Sequence, residues 1–341
     1  MTKAIRPTVI LKPAPQPVGR IFTPASLETL HERFVVVDLE QDDRPEALDE
    51  ALPEAFAIVG QPDLGRDRLE KAPRLRALLN VEGNFYPNVD YEACHDRGVY
   101  VLGCGPAYAQ AVAEHSLGLA LDLARGISRE DRAFRTGSER YVSDGNEDSV
   151  LLRGANIGLL GFGNLGRALH RLLKPFAANI RVFDPWLPDS VLREHGVTPA
   201  SLDETLSSSH FLFVLATVTA ESEHLLGARQ LDLLPQRARV VLVSRAAVVD
   251  YDALLPRIAE GRLLAAVDVW PEEPVPADHV ARTLEGLVFS GHRAGGIPAA
   301  FHQIGAMVVD DLTQIARGLP PVRMQVAARE LVGRYRNRPV T

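Results

Sequence analysis

At 341 residues the chain is longer than one ordinary domain, and its 46% hydrophobic and 24% charged content is that of a globular protein with two domains. A net charge of -7 offers nothing to a nucleic-acid backbone or an anionic membrane, so neither is expected as a partner. The start, MTKAIRPTVILKPAPQP, holds too short an apolar run for a signal peptide or a membrane span, so the cytoplasm is the expected location; the 2 cysteines, Cys94 and Cys104, are expected to be reduced and buried.

In chain order, residues 8–11, 34–39, 57–60, 75–81 and 99–104 read as short buried strands separated by polar or helical stretches. That alternation implies a parallel sheet, flavodoxin-like in outline. A helical pattern follows over 111–125. The polar stretch 128–148, with Gly137, Gly145 and Asn146, breaks the periodicity and marks the expected domain boundary, either as a solvated linker or as an extended arm in a dimer contact.

Residues 157–160 then form an apolar strand that runs without a spacer into Gly161-Phe162-Gly163-Asn164-Leu165-Gly166. Leu165, Ala168, Leu169, Leu172, Leu173 and Phe176 recur on one helical face, while Arg167, His170, Arg171 and Lys174 take the other. A second strand, 180–183, ends at Asp184. Further strands are expected at 211–216, 240–243, 264–269 and 287–290, with a helix such as 252–260 between them. A last long helix, 297–317, is ended by Gly318-Leu319-Pro320-Pro321.

The glycine run carries chemistry. Gly161 permits a tight turn, Gly163 lets backbone approach a pyrophosphate, and Gly166 lets helix and strand pack closely. The pyrophosphate would rest on unpaired N–H groups at the helix start, at Asn164 and Leu165, where the helix dipole favours negative charge. Asp184, about twenty residues on, can accept both ribose hydroxyls of adenosine, and a 2'-phosphate there would meet like charge, so NAD is expected over NADP. The plainer alternative, glycines that only close a turn, leaves the position of Asp184 to chance.

In open parallel sheets ligands lie outside the carboxyl ends of strands, which here places Thr217, Val243, Arg245, Asp268 and His292 under scrutiny. Arg245 follows the apolar VVLVS, a costly place for an unpaired charge; it either makes a structural ion pair or clamps a substrate carboxylate and polarises the adjacent carbonyl. His292 sits in FSGHRAGG, and Glu273 in DVWPEEPVP. Reducing a 2-oxo acid needs a cation, a proton donor and a hydride, and a histidine backed by a carboxylate suits the second task. Spacing alone does not show that the three residues meet.

These segments resemble the D-isomer-specific 2-hydroxyacid dehydrogenase family over nearly the whole chain: VLVSRAAVVD around the arginine, AAVDVWPEEP around the glutamate, GHRAGG around the histidine. The resemblance implies that Arg245 binds substrate, Glu273 pairs with the histidine, His292 is the acid/base and Asp268 holds the nicotinamide carboxamide. EGNFYPNVDY (82–91) resembles the substrate-carboxylate loop, so Asn84, Phe85 and Tyr86 are expected to line the pocket, and AVAEHSLGLALDLAR (111–125) resembles the interdomain helix. It also implies a Rossmann NAD-binding domain (126–295) inserted in a flavodoxin-like substrate domain (1–125 plus 296–341), substrate in the cleft between them, and a homodimer through the nucleotide domain.

Several positions depart from the family pattern. Leu242 stands for asparagine, Ala246 for glycine, Gly291 for proline, and Phe85 and Pro87 for the usual glycine and aspartate. The expected activity is NAD-dependent reduction of a 2-oxo acid to a D-2-hydroxy acid, with no metal. Glu273 argues against formate oxidation, where the family has glutamine, and Glu82 disfavours a phosphorylated substrate. Phosphite oxidation on the same scaffold and a non-enzymatic NADH sensor are the competing readings.

Overall fold

The computed structural model describes residues 6–42, 44 and 46–336. The first five residues of the N-terminal stretch considered as a leader lie outside them. Among the described residues no helix is long and apolar enough to cross a membrane. The chain divides into two compact units, Met1–Tyr108 with Gly296–Thr341, and Ala109–Gly295.

In the first unit β1 (Thr8–Lys12), β2 (Val35–Asp38), β3 (Ala55–Gly60), β4 (Ala77–Asn80) and β5 (Tyr100–Gly103) form a parallel sheet in the order β2-β1-β3-β4-β5. A short strand, Gln325–Val326, adds antiparallel to β5. The period of two in a strand sorts the side chains onto two faces. Val9, Leu11, Ala57, Val59, Ala77 and Leu79 pack with Ile304, Met307, Val308 and Leu312 of the helix Pro298–Ala316, whereas Ile10, Ile58, Leu78 and Val101 pack with Leu48, Leu52, Leu64 and Leu69. Burial on both faces is why these strands read as continuous apolar runs.

Two expectations change here. The helix read at 111–125 is Gly105–Arg125, because Pro106 in a first turn costs no intrahelical bond. The division expected after residue 125 falls after Tyr108, inside that unbroken helix, where no sequence punctuation marks it. Tyr108 still belongs to the first sheet: its ring meets Phe301 edge-on at 6.1 Å and its hydroxyl donates to the Val81 carbonyl at 3.3 Å.

The stretch 128–148 is not a bare linker. It opens with a helix, Ile127–Thr136, bounded by Gly126 and Gly137 at φ 65° and 69°, left-handed positions that glycine takes without strain. None of its residues is buried. Its polar composition is what hid it from a periodicity reading.

The second unit holds β6 (Asn156–Leu160), β7 (Asn179–Phe183), β8 (Thr198–Pro199), β9 (Phe211–Val214), β10 (Ala238–Leu242), β11 (Leu263–Val267) and β12 (Leu287–Phe289). All are parallel, in the order β8-β7-β6-β9-β10-β11-β12, the doubly wound arrangement whose order reverses between β6 and β9. The glycine-loop helix is Asn164–Leu173; Phe176 lies beyond it in the 3-10 turn Lys174–Phe176, which Pro175 enforces.

Candidate active site

The glycine turn starts at the end of β6, at the reversal point of the sheet. Gly161 has φ 96°, and a Cβ on it would lie 3.1 Å from the backbone of Ala216. Gly166 is tighter still, since its Cβ would come within 2.5 Å of the Gly161 carbonyl oxygen. Gly163, by contrast, is exposed with nothing within 4 Å of a Cβ, and it precedes the helix without any side-chain cap. No side chain from Gly163 therefore covers the start of that helix, where the helix dipole favours an anion.

Asp184 follows β7. One carboxylate oxygen accepts the Phe162 N–H at 2.8 Å and the other the Trp186 N–H at 2.9 Å, tying the strand end to the glycine turn. Each oxygen keeps a second lone pair for a ribose hydroxyl. Thr217 lies in the loop after β9, its carbonyl taking the Ser222 hydroxyl at 2.7 Å, and Val243 is buried just past β10. A helix start with no side-chain cap, a close glycine turn and an acid at the next strand end fit a dinucleotide.

β10, β11 and β12 are neighbours, and Arg245, Glu273 and His292 follow their carboxyl ends in that order. With parallel strands about 4.8 Å apart, the ends carrying Arg245 and His292 are separated by roughly 10 Å. His292 Nδ1 is 2.7 Å from Glu273 Oε2, and the other oxygen of Glu273 accepts the Trp270 N–H at 2.8 Å. The glutamate is thus held from its own loop, and the bond to Nδ1 leaves Nε2 as the histidine's free end. His292 itself takes φ 48°, an uncommon conformation for a side chain of this size.

Asp268 explains how that conformation is kept. Fully enclosed at 1% exposure, it accepts the His292 N–H on its backbone carbonyl at 2.7 Å, and its carboxylate accepts the N–H groups of Arg293 at 3.0 Å and Ala294 at 3.1 Å. The residue expected at the cofactor therefore anchors the histidine loop, because three consecutive backbone donors point at it. Nearby, Tyr251 donates its hydroxyl to the Val269 carbonyl, and burial pushes its phenol far up, with the charges of Glu273 and Asp268 adding to the effect.

Arg245 is half-buried, and its guanidinium donates to the neighbouring Ser244 carbonyl at 2.7 Å. Among the described residues no carboxylate lies within ion-pair distance of it, so the structural ion pair considered from sequence is not formed. The guanidinium fork is left for another anion.

In the first unit the expected substrate residues separate. Phe85 is a core residue: its ring lies against Gly103, edge-on to Tyr91 at 6.5 Å and tilted on Tyr335 at 5.7 Å. Its side chain faces its own core, not a pocket, because a large apolar ring gains more there. Tyr86 is buried, and Asn84 is half-buried with Nδ2 unpartnered. The sequence reading also missed His115, whose buried Nε2 has no hydrogen bond and lies 3.7 Å from Asp268 Oδ1. Its place in AVAEHSLGLALDLAR was visible, but nothing in the spacing linked it to Asp268, more than a hundred residues on.

Two α/β units, one of them doubly wound with a glycine turn at its switch point and an acid-backed imidazole beyond neighbouring strands, define a class: two-domain dinucleotide-binding proteins. Within it, residues 117–294 match the profile of the D-isomer specific 2-hydroxyacid dehydrogenase NAD binding domain, and the chain belongs to that family. NAD is accordingly its cofactor. A phosphoglycerate oxidoreductase from Rhizobium etli is 44% identical and superposes with a TM-score of 0.87 over 95% of this chain and 99% of that one. A glyoxylate reductase from Korarchaeum cryptofilum is 28% identical over 89% of this chain and 93% of its own length. A D-3-phosphoglycerate dehydrogenase from Methanocaldococcus jannaschii is 28% identical over 86% of this chain but 55% of its own; the chain spans about half the length of such relatives.

Proposed function

We propose that the protein is an NAD-dependent D-2-hydroxyacid dehydrogenase, working as a reductase of 2-oxo acids. The observation that carries this reading is the 2.7 Å bond between His292 Nδ1 and Glu273 Oε2, on a loop that Asp268 fixes from behind. Gly161, Gly163, Asn164, Leu165, Gly166, Asp184, Thr217 and Val243 would hold the dinucleotide, which supplies a hydride when bound. Arg245 binds the substrate carboxylate and draws charge toward the adjacent carbonyl. His292 gives a proton from Nε2 to the carbonyl oxygen, while Glu273 keeps Nδ1 protonated and stabilises the imidazolium that precedes transfer.

The names of the relatives span phosphoglycerate and glyoxylate chemistry. Glu82 beside the substrate loop argues against a phosphate, since like charges would be brought together in poor solvent. The test is a panel of 2-oxo acids with NADH, followed by chiral analysis of the product. Oxidation of NADH with a D-2-hydroxy acid formed supports the reading; bound NADH with no turnover across the panel rejects it in favour of a sensor.

The protein is further proposed to be a cytoplasmic homodimer. Free, buried Cys94 and Cys104 suit a reducing compartment. Supporting the dimer, Ile127, Phe134, Tyr141, Val142 and Leu151 of the segment after Gly126 are 58–84% exposed, a concentration of apolar surface that calls for a cover. Phe134→Glu should convert the species seen by light scattering from dimer to monomer; a monomeric wild type refutes the assignment.

A further inference from the structure

We infer that His115 is a positioning residue for the proton donor: its Nε2–H braces the Asp268 carboxylate, which in turn holds the loop that carries His292; this rests on the reductase reading above. All three residues belong to the second unit. His115 lies in the helix Gly105–Arg125, and its imidazole reaches the end of β11. Nε2 is buried without a hydrogen bond, 3.7 Å from Asp268 Oδ1, although the side chain as a whole is 29% exposed. That distance is within ion-pair reach and a little beyond a hydrogen bond, so a ring movement of roughly 0.7 Å closes it.

The surroundings of Asp268 leave room for this bond. Its carboxylate accepts the N–H groups of Arg293 and Ala294, one on each oxygen, and each oxygen keeps a lone pair. The Tyr251 hydroxyl nearby is turned away, to the Val269 carbonyl. Among the described residues the one basic side chain within ion-pair distance of Asp268, itself 1% exposed, is His115. A carboxylate only accepts, so the nitrogen facing it must carry the proton: Nε2 is the protonated position of His115. A buried N–H without an acceptor costs free energy, and so does a buried charge without a counter-ion; the same bond relieves both.

Its effect reaches the chemistry through three consecutive residues. Asp268 holds the His292 N–H on its carbonyl and those of Arg293 and Ala294 on its carboxylate, and that hold keeps His292 at φ 48°. Without the brace from His115 the carboxylate and the loop bonded to it shift, and the proton on His292 moves off the carbonyl oxygen it must reach. Arg245 follows a different strand, so its grip on the substrate carboxylate is unaffected.

The experiment compares wild type with His115→Leu, which keeps the bulk and removes the donor, and with His115→Gln, whose amide N–H falls near the place of Nε2. With NADH and a 2-oxo acid that wild type reduces, His115→Leu should lower kcat by about tenfold and leave KM for the acid within about twofold, while His115→Gln should recover kcat to within about threefold of wild type. The NMR signals of the His292 ring should move in His115→Leu and return in His115→Gln. An active wild type whose kcat His115→Leu matches overturns the proposal and leaves the reductase reading intact. Equal losses in the two variants also overturn it, because they report packing and not the donor, and so does a loss confined to KM. Should His115→Leu not fold, the imidazole nitrogen shifts of wild type decide: a proton on Nε2 of His115 supports the brace, and a bare Nε2 overturns it. No turnover of any 2-oxo acid by wild type, with NADH bound, removes the reductase reading and this proposal with it.

Discussion

The histidine loop of the second unit and the bend after β4 in the first use similar residue types, yet they leave their polar atoms in opposite states. Around His292 both acids are satisfied: Asp268 takes three backbone donors, and Glu273 takes one backbone donor and the imidazole. After β4, Asn80, Glu82 and Asn84 present buried polar atoms with no partner, each costing about 1–3 kcal/mol where no water or ligand completes it. The difference follows from what each region must do. Proton transfer needs its geometry fixed before substrate arrives, so its supports are internal. The polar atoms after β4 have no such support from their own segment.

The sharpest way to break this contrast is at His292. His292→Ala leaves Asp268 and the glycine turn untouched, so NADH should bind as in wild type while kcat falls by about 10²–10⁴. Stopped-flow turnover beside fluorescence titration of NADH checks it, and retained turnover would mean that the internally braced loop is not where the proton moves. Arg245→Ala should come next. With no carboxylate partner to strand, its loss should act on substrate alone, lowering kcat/KM by about 10²–10³ and mostly through KM. A drop in melting temperature with unchanged KM would instead give the guanidinium a structural role.

A smaller effect is expected at Asp184, which stands between the two states: bonded to Phe162 and Trp186, yet with acceptor capacity left. Asp184→Ser removes the charge that repels a 2'-phosphate and should move the NAD-to-NADP preference toward NADP by about tenfold. An unmoved ratio of efficiencies would confine Asp184 to bracing the glycine turn.

How much of this was visible in the sequence follows the same contrast. The alternation of apolar runs and amphipathic helices revealed both sheets, because strands buried on two faces leave a local signature. Arg245 and His292 could be nominated because each follows its strand within a few residues, and Glu273 because its segment resembles the family's. What stayed hidden is non-local. The bonds of Asp268 to residues some twenty-five positions on, the approach of His115 to Asp268 and the retreat of Phe85 into its core depend on tertiary packing that no window reports. The helix Ile127–Thr136 was concealed for another reason: its composition is mostly polar, so it offers no apolar periodicity to read.

His170 gives the mildest test, on a group buried with no catalytic duty. It packs against Phe162 at 5.7 Å, and burial pushes its imidazole below the ordinary 6.5, with Lys174, His195 and Arg171 adding repulsion. Protonation is therefore harder in the folded chain than in the unfolded one. Between the lowered value and 6.5 the unfolded state binds more protons, so stability rises with pH across that window. The full contribution is present above 6.5 and is lost progressively as pH falls through the window, with a slope of at most about 1.4 kcal/mol per pH unit for one proton. His170→Leu cannot titrate, so the stability difference between wild type and variant should grow in favour of wild type as pH is raised from about 5 to about 8 in denaturant melts. A difference that stays flat over that range would show that His170 keeps its proton equally well in both states, and the charges around the glycine-loop helix would then be better solvated than the burial of this ring implies.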